Sequence, residues 1–331
     1  MKLNKSIMFI MLLILFALSC FAIEIQQPYY HTLEAYNEFE VMWKISNICI
    51  NDNSRRPNIV GAPERIIING WQRSGIQTNT IIGLDSLSGN ITWTAPGANG
   101  GEIITQGENL YRGTNGTVTV QSYNIKNGEL LWRTRLPWTH GTSDLYLAEN
   151  KIFVHTGDGE FFSLNGVGEI LDTFHEDFRT FLVIDDVLYK EDNFSIKAID
   201  FLSRRELWQR KLDSDYTYAP IFDNGKIFLS TFTSIYSIDQ STGKVNWQIF
   251  QDVLSNLYVA GDKIYFISEN SHLVTVDQKT GYEISKVKFS PSFDLEKQNG
   301  EYFVSGDPTN NVLVVSFGDN YQIMGLKILN P

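Results

Sequence analysis

Cysteine and basic residues are both scarce in this chain, and each scarcity excludes a class of protein. Only two cysteines occur among 331 residues, so no disulfide framework holds the fold together. Lysine and arginine number 27 against 38 aspartates and glutamates, which gives a net charge of −11. Because nucleic-acid binding depends on basic side chains that neutralise phosphates, this balance excludes a nucleic-acid partner. Beyond the N-terminus, no stretch has helical periodicity.

The first residues have the composition of an export signal. Lys2 and Lys5 precede an apolar run, Ile7–Leu18, which is followed by the small residues Ser19 and Ala22. This order is typical of a secretory signal peptide. The run is shorter than the roughly 20 residues that a membrane-spanning helix needs. We therefore expect an extracytoplasmic protein, with an uncleaved anchor as the alternative.

Two cleavage sites remain open, and they differ in whether the protein carries a lipid anchor. Ala17–Cys20 resembles a bacterial lipobox, which would remove residues 1–19 and make Cys20 the lipidated first residue. Cys20–Ala22 matches an ordinary signal peptidase site, which would remove residues 1–22 and leave residues 23–331 as the folded domain. In both cases Cys49 lacks an intramolecular partner, and we expect a buried, unreactive thiol.

The most informative feature is a repeated eleven-residue segment that returns about every forty residues. The copies are GLDSLSGNITW (83–93), SYNIKNGELLW (122–132), AIDFLSRRELW (198–208), SIDQSTGKVNW (237–247) and TVDQKTGYEIS (275–285). Each has an Asp or Asn four residues before a turn position that is usually glycine. Asx side chains hydrogen-bond to nearby backbone and glycine accepts a positive φ, so the motif predicts a strand, a tight turn and a strand.

A second recurring unit, a turn followed by an apolar run as in NGKIFLS (224–230) and GDKIYFI (261–267), brings each repeat to four strands. Degenerate copies at Asn165 and Lys327 raise the number of repeats to seven. Together these features predict an all-β, seven-bladed β-propeller of four-stranded antiparallel blades. The orphan strand at residues 38–46, with Trp43, is predicted to close the ring by pairing into the last blade. Residues 290–310 are predicted to be a longer loop or a ragged inner strand.

Three repeats depart from the pattern, and we expect weaker seams between blades there. The third has no tryptophan and its Gly168 arrives one residue early. The fourth has Arg204 in place of glycine, and the sixth has Ser285 in place of tryptophan.

The pattern Asp-x-x-Thr-Gly-x-x-x-Trp, complete in SIDQSTGKVNW, resembles the repeat of the quinoprotein (PQQ-like) propeller family. The likeness covers nearly the whole exported chain, and the Trp-Asp endings of WD repeats are absent. The chain is also distantly similar to the non-catalytic propeller lipoprotein of the outer-membrane barrel-assembly machinery, although that relative has eight blades. The resemblance implies that the tryptophans dock on neighbouring blades. They are Trp43, Trp93, Trp132, Trp208 and Trp247.

The residues give no support for an enzyme. Quinoprotein dehydrogenases have a similar repeat, and in that family adjacent cysteines stack on PQQ. No Cys-Cys pair occurs here. His175-Glu176 lacks the second histidine of a zinc helix, and Asp213-Ser214-Asp215 lacks the remaining ligands of a calcium loop. The five histidines have no metal-ligand spacing. We expect no catalytic residue, cofactor or metal, and keep a quinoprotein-type enzyme as the alternative.

Propellers bind at the loops around the central channel, above all where an outer strand leads to the next inner strand. The candidate residues there are Arg55, Arg56, His140, Asp144, Glu176, Asp177, Arg179, Asp213, Asp215, Tyr216 and Tyr218. Mixed charge with tyrosine suits a protein or glycan surface. We therefore expect a monomeric, exported scaffold that binds envelope or extracellular proteins and meets a membrane only through a lipid anchor. A carbohydrate-binding propeller is the second alternative.

Overall fold

The computed structural model describes residues 39–46, 48–50, 58–72, 80–97, 101–114, 117–140, 142–148, 150–175, 181–191, 194–214, 218–268, 272–288, 302–317 and 322–329. All secondary-structure elements in these ranges are β-strands. They are β1 (Phe39–Ile45), β2 (Ile48–Ile50), β3 (Ile59–Ala62), β4 (Arg65–Gln72), β5 (Thr80–Asp85), β6 (Ile91–Pro96), β7 (Ile103–Gln106), β8 (Asn109–Gly113), β9 (Thr117–Asn124), β10 (Leu130–His140), β11 (Thr142–Ala148), β12 (Lys151–Thr156), β13 (Glu160–Leu164), β14 (Ile170–His175), β15 (Phe181–Ile184), β16 (Val187–Glu191), β17 (Ser195–Asp200), β18 (Glu206–Lys211), β19 (Ile221–Asp223), β20 (Lys226–Ser230), β21 (Ser234–Asp239), β22 (Val245–Phe250), β23 (Tyr258–Ala260), β24 (Lys263–Ser268), β25 (His272–Asp277), β26 (Glu283–Lys288), β27 (Phe303–Asp307), β28 (Val312–Phe317) and β29 (Gln322–Ile328).

These strands form seven antiparallel sheets, each of which is one blade of a β-propeller. From the inner to the outer edge, the blades are β3–β6, β7–β10, β11–β14, β15–β18, β19–β22, β23–β26 and, last, β27–β29 followed by β1. The seven-bladed, four-stranded prediction is confirmed. Blade 1 also has the short strand β2, which pairs with β4 beyond the end of β3. The last blade has its inner strand at Phe303–Asp307, within the segment that was predicted to be a longer loop or a ragged inner strand.

The ring closes as predicted, because β1 at the start of the chain pairs with β29 near its end. The register joins Phe39 to Ile328, Glu40 to Lys327 and Trp43 to Gly325. The first segment of the chain therefore supplies the outer strand of the last blade. Strand hydrogen bonds between β1 and β29 thus join the first and last described strands.

The turns between third and fourth strands have the geometry that the repeat predicts. In blade 5, Gly243 donates its N–H to the Asp239 carbonyl at 2.9 Å and has a φ of +67°. The Asp239 carboxylate accepts hydrogen bonds from the Thr242 N–H at 2.9 Å and the Thr242 hydroxyl at 2.6 Å. The hydroxyls of Thr242 and Ser241 hold the pKa of Asp239 below its ordinary value.

Each of the five predicted tryptophans donates its indole N–H to a backbone carbonyl in the following blade. The bonds run from Trp43 to Ser86 (2.8 Å), Trp93 to Ile125 (2.7 Å), Trp132 to Gly166 (2.9 Å), Trp208 to Gln240 (3.0 Å) and Trp247 to Gln278 (3.1 Å). Because each carbonyl lies at the start of an Asx turn, the ring and the turn form one joint. In all five cases, therefore, the tryptophan side chain contacts the neighbouring blade through a hydrogen bond.

A glycine lies beneath each docked indole ring. A Cβ built on Gly128 would lie 2.4 Å from the ring of Trp93, and one on Gly243 would lie 2.5 Å from that of Trp208. In blades 7 and 1, a second glycine lies across from the tryptophan on the third strand, at Gly325 and Gly83. Trp43 and Trp93, enclosed on both sides, are only 5% and 8% exposed.

The seam between blades 3 and 4 has phenylalanine rings where five of the other six seams have tryptophan. The strand register puts Asp172 at the tryptophan position of blade 3. The Phe201 ring, from the blade 4 turn, instead packs 5.7 Å from that of Phe153 in blade 3. Since no indole ring covers the turn, Arg204 occupies the glycine position with a φ of +60° and lies 4.9 Å above the Phe201 ring.

Candidate binding face

The antiparallel order of the strands sorts the connections of every blade onto two faces. The hairpins between second and third strands lie on one face, together with the connections from each outer strand to the next inner strand. We call this the upper face. The Asx turns lie on the opposite, lower face. Those of the eleven predicted binding residues that the structure describes lie in or beside upper-face connections.

The structure describes four of those eleven residues in whole or in part. Arg55, Arg56, Glu176, Asp177, Arg179, Asp215 and Tyr216 lie outside the described residues. For His140, at the end of β10, and Asp144, in β11, the backbone alone is described, and it puts them on either side of one connection. Asp213 and Tyr218 have described side chains, and they border the connection from blade 4 to blade 5.

Asp213 holds the upper hairpin of blade 5 in place. Its carboxylate accepts hydrogen bonds from the hydroxyls of Thr231 (2.8 Å), Thr233 (2.9 Å) and Ser234. Burial alone would raise the pKa of Asp213, but these hydrogen bonds outweigh it and keep the pKa below its ordinary value. The carboxylate therefore stays ionised near neutral pH and links the end of β18 to the next blade.

The side chain of Tyr218 contacts residues from several blades of the propeller. Its hydroxyl donates to the Leu254 carbonyl at 3.0 Å. Its half-buried ring packs against an apolar cluster that includes Ile48 and Ile50 of β2 and Phe303 of β27. Tyr218 thus connects the entry to blade 5 with residues from blades 1 and 7.

The structure adds three exposed aromatic residues on the upper face that the sequence had not indicated. Phe194, Phe232 and Phe250 are 51%, 61% and 79% exposed. Phe232 lies between Thr231 and Thr233, which both donate to Asp213, and Phe250 lies opposite Ser234 in the ladder. The Phe194 carbonyl accepts from the N–H of Leu212, the residue before Asp213. We call Phe194, Phe232 and Phe250 the aromatic patch.

A sequence signal for the aromatic patch does exist. Phe232 stands in the polar hairpin Ser230–Ser234, where no buried strand needs an aromatic side chain. Large apolar groups that are exposed together on one face mark binding surfaces more often than single ones do. Exposed phenylalanines in adjacent upper-face turns therefore carry more information than any one of the predicted charged residues.

The described ranges contain neither a cluster of metal ligands nor a membrane-spanning helix. No group of three or more His, Cys, Asp or Glu side chains there is positioned to hold a metal ion. The same residues contain no helix that is long and apolar enough to cross a membrane.

A protein-family model matches two segments of this chain. The model described as "Outer membrane protein assembly factor BamB" matches residues 77–171 and 192–286, which together make up more than half of the chain. The chain belongs to this family. Each BamB-family match spans parts of about three blades, and the PQQ-like propeller resemblance of the repeats is confirmed.

Solved structures share the fold of this BamB-family chain. BamB from Moraxella catarrhalis has a TM-score of 0.54 at 15% identity, with 88% of this chain and all of that chain covered. A chain of a structure titled "Crystal Structure of Mitotic Checkpoint Complex" has a TM-score of 0.64 at 9% identity, with coverages of 86% and 90%. Such low identities show a common propeller architecture. No curated protein matches the sequence.

Proposed function

We propose that this BamB-family chain is an exported, non-catalytic propeller that binds other proteins through its upper face. In this role it acts as a scaffold in the cell envelope or the extracellular space. The model of its family is described as an outer membrane protein assembly factor. Assembly is a task that protein binding alone can perform. The one observation that carries the proposal is the aromatic patch. Aromatic residues are enriched at protein interfaces, and here Phe232 lies on a hairpin that hydrogen bonds to Asp213 already order.

Preorganisation is the physical reason that a propeller suits this task. The tryptophan joints and the ring closure fix the blades, so binding at their loops costs little ordering of the scaffold. Asp213 does the same for the hairpin that presents Phe232. The ordered blade 5 hairpin can therefore present Phe232 to a partner.

Export is part of the proposal and rests on the sequence. Lys2, Lys5 and the apolar run Ile7–Leu18 form the pattern of a secretory signal. Lipidation at Cys20 would attach the propeller to a membrane, whereas cleavage after Ala22 would release it. Both forms leave the upper face available for protein partners.

Photo-crosslinking at the upper face, with a matched position on the lower face, tests this function. A photoreactive residue is placed at Phe232 and, as the control, at Leu202, which is 80% exposed in a lower-face Asx turn. The full chain is expressed in its native envelope, and crosslinked proteins are identified by mass spectrometry. We expect one or a few defined protein products at position 232 that are absent at position 202. No defined product at 232, or identical products at both positions, would contradict the proposal.

A further inference from the structure

The outer strand of blade 5, β22, lacks the features that keep exposed strand edges from pairing. Its sequence, VNWQIF, has neither a charged residue nor a proline. Every other outer strand has at least one: Pro96 in β6, Arg133, Arg135 and Pro137 in β10, Asp172 in β14, Glu206, Arg210 and Lys211 in β18, Glu283, Lys286 and Lys288 in β26, and Glu40 and Lys44 in β1. Charges and prolines at an edge prevent other strands from joining the sheet. Among the described outer strands, β22 alone lacks both kinds of protective residue.

The backbone of β22 is oriented to accept a further strand. The Gln251 N–H donates inward to the Thr233 carbonyl at 3.0 Å. Because antiparallel strands alternate which residues face the partner, Ile249 and Trp247 also bond inward to β21. The N–H and C=O groups of Gln248 and Phe250 therefore point away from the sheet.

Blade 6 provides an internal comparison at the same two positions. In blade 5, Gln248 pairs with Tyr236 and Phe250 pairs with Ser234. Lys286 and Lys288 occupy the equivalent positions of the outer strand of blade 6. The same ladder geometry thus carries two lysines in one blade, and a glutamine and a 79% exposed phenylalanine in the next. The difference lies in the side chains at the edge.

The surroundings of β22 define the chemistry of a partner strand. Phe250 is part of the aromatic patch, so a strand beside it would bury apolar side chains at alternate positions. Asp252 follows two residues later and Asp213 lies at the adjacent hairpin, whereas the exposed Lys244 precedes the opposite end of β22. Charge complementarity therefore favours a basic residue at the end of the partner segment that lies beside Asp252.

We propose that β22 is a site of strand addition, where an extended segment of another protein pairs with blade 5. The segment has alternating apolar residues that contact Phe250, and lysine or arginine at its flank. Main-chain hydrogen bonds to Gln248 and Phe250 supply affinity, and the aromatic patch supplies specificity. This inference rests on the proposed protein-binding function and identifies the type of partner segment.

The probe for the test is a displayed library of short peptides in which apolar and polar residues alternate and one end is basic. Peptides selected on the full chain are synthesised, and their affinities are measured by fluorescence anisotropy. Gln248→Pro removes an outward N–H from the edge, and Lys286→Pro is the matched backbone change in blade 6. We expect Gln248→Pro to weaken binding at least about tenfold and Lys286→Pro to leave it unchanged.

Two further measurements separate strand pairing from other modes of binding. In the complex, hydrogen exchange at the Gln248 and Phe250 amides should slow, because a new strand protects them. Phe250→Lys, which introduces the lysine of blade 6, should also weaken binding at least about tenfold while the melting temperature stays near that of the native chain.

The outcomes that overturn strand addition are distinct from those that overturn the proposed function. Failure to select any peptide, native affinity in Gln248→Pro, or unprotected amides in the complex each refutes strand addition at β22. If crosslinking at Phe232 still yields a protein partner, the binding function stands without it. A dimer that Gln248→Pro dissociates would show that the edge pairs with a second copy, which also overturns the proposal.

Discussion

Replacing Trp93 with alanine is expected to lower the free energy of unfolding by about 3–5 kcal/mol, as large-to-small changes at buried aromatic residues do. The Trp93 ring is enclosed between Gly83 and Gly128, and its N–H donates to the Ile125 carbonyl at 2.7 Å. The substitution leaves a cavity at the joint between blades 1 and 2 and removes the donor from that carbonyl. Denaturant-induced unfolding monitored by circular dichroism measures the loss.

Trp208→Ala is the control for that experiment. Trp208 makes the same kind of hydrogen bond, to Gln240, but is only half-buried because alanine stands across from it on the third strand. We expect a smaller loss of stability in Trp208→Ala than in Trp93→Ala. Equal effects would show that burial beside the second glycine adds nothing, and a native midpoint in Trp93→Ala would contradict the docking role.

Replacing Gly61 with alanine is expected to destabilise the protein by about 3 kcal/mol or more, at the upper end of the range for overpacking. Gly61 in β3 and Gly306 in β27 bring the inner strands of blades 1 and 7 into close approach. A Cβ on Gly61 would lie 1.4 Å from the Gly306 carbonyl oxygen, so the two blades would have to separate. The hydrogen bond from Gly61 N–H to the Ser305 hydroxyl, at 3.0 Å, would lengthen with them.

Gly166→Ala supplies the matched control for Gly61→Ala, since no heavy atom lies within 4 Å of a Cβ added at Gly166 and its φ is not positive. Thermal unfolding of both variants should show a large drop in melting temperature for Gly61→Ala and little change for Gly166→Ala. Similar melting temperatures for the two would show that the first and last blades do not meet as described.

The buried Asp307 makes the same junction between blades 7 and 1 sensitive to disturbance. Its Oδ2 accepts from the Glu64 N–H at 2.9 Å and the Ser86 hydroxyl at 2.7 Å, both in blade 1. Asn310, in the same blade as Asp307, donates to this oxygen at 2.9 Å. Displacement of β27 from β3 would break both bonds from blade 1 to Asp307 and leave buried polar groups unsatisfied.

The repeat made the fold predictable because its residues act locally. An Asx residue, a glycine and a tryptophan each perform one function in most of the blades, so the repeat alone predicts the strands, the turns and the number of blades. The orphan strand with Trp43 indicated closure for the same reason. Residues that carry no repeat, such as the short strand β2, had no comparable signal.

The departures from the repeat were visible in the sequence, but their meaning was not. The structure shows that the glycine of one blade is required by the tryptophan of the blade before it, because a Cβ there meets the indole ring. Blade 3 has Asp172 in place of tryptophan, so blade 4 tolerates Arg204. Phe201 then fills the seam, a compensation that depends on packing between blades and that no local pattern encodes.

The candidate site was predicted less completely than the fold. The sequence identified the upper face but selected charged and tyrosine residues, of which Asp213 and Tyr218 have contacts that order the scaffold. The aromatic patch escaped notice because exposure depends on how neighbouring blades meet. The polar hairpin around Phe232 was a signal in the sequence, but nothing comparable marked Phe194 and Phe250.

A disulfide between the two ends of the chain tests the central claim, closure of a seven-bladed ring by β1, most directly. Cysteines replace the exposed, paired residues Glu40 and Lys327 in a chain whose native cysteines are changed to serine. Paired residues in antiparallel strands lie about 5 Å apart, within reach of a disulfide. Lys197 and Gln209, paired within blade 4, serve as the positive control. Peptide mapping after mild oxidation should find both crosslinks, whereas a crosslink in the control pair alone would contradict the closed ring.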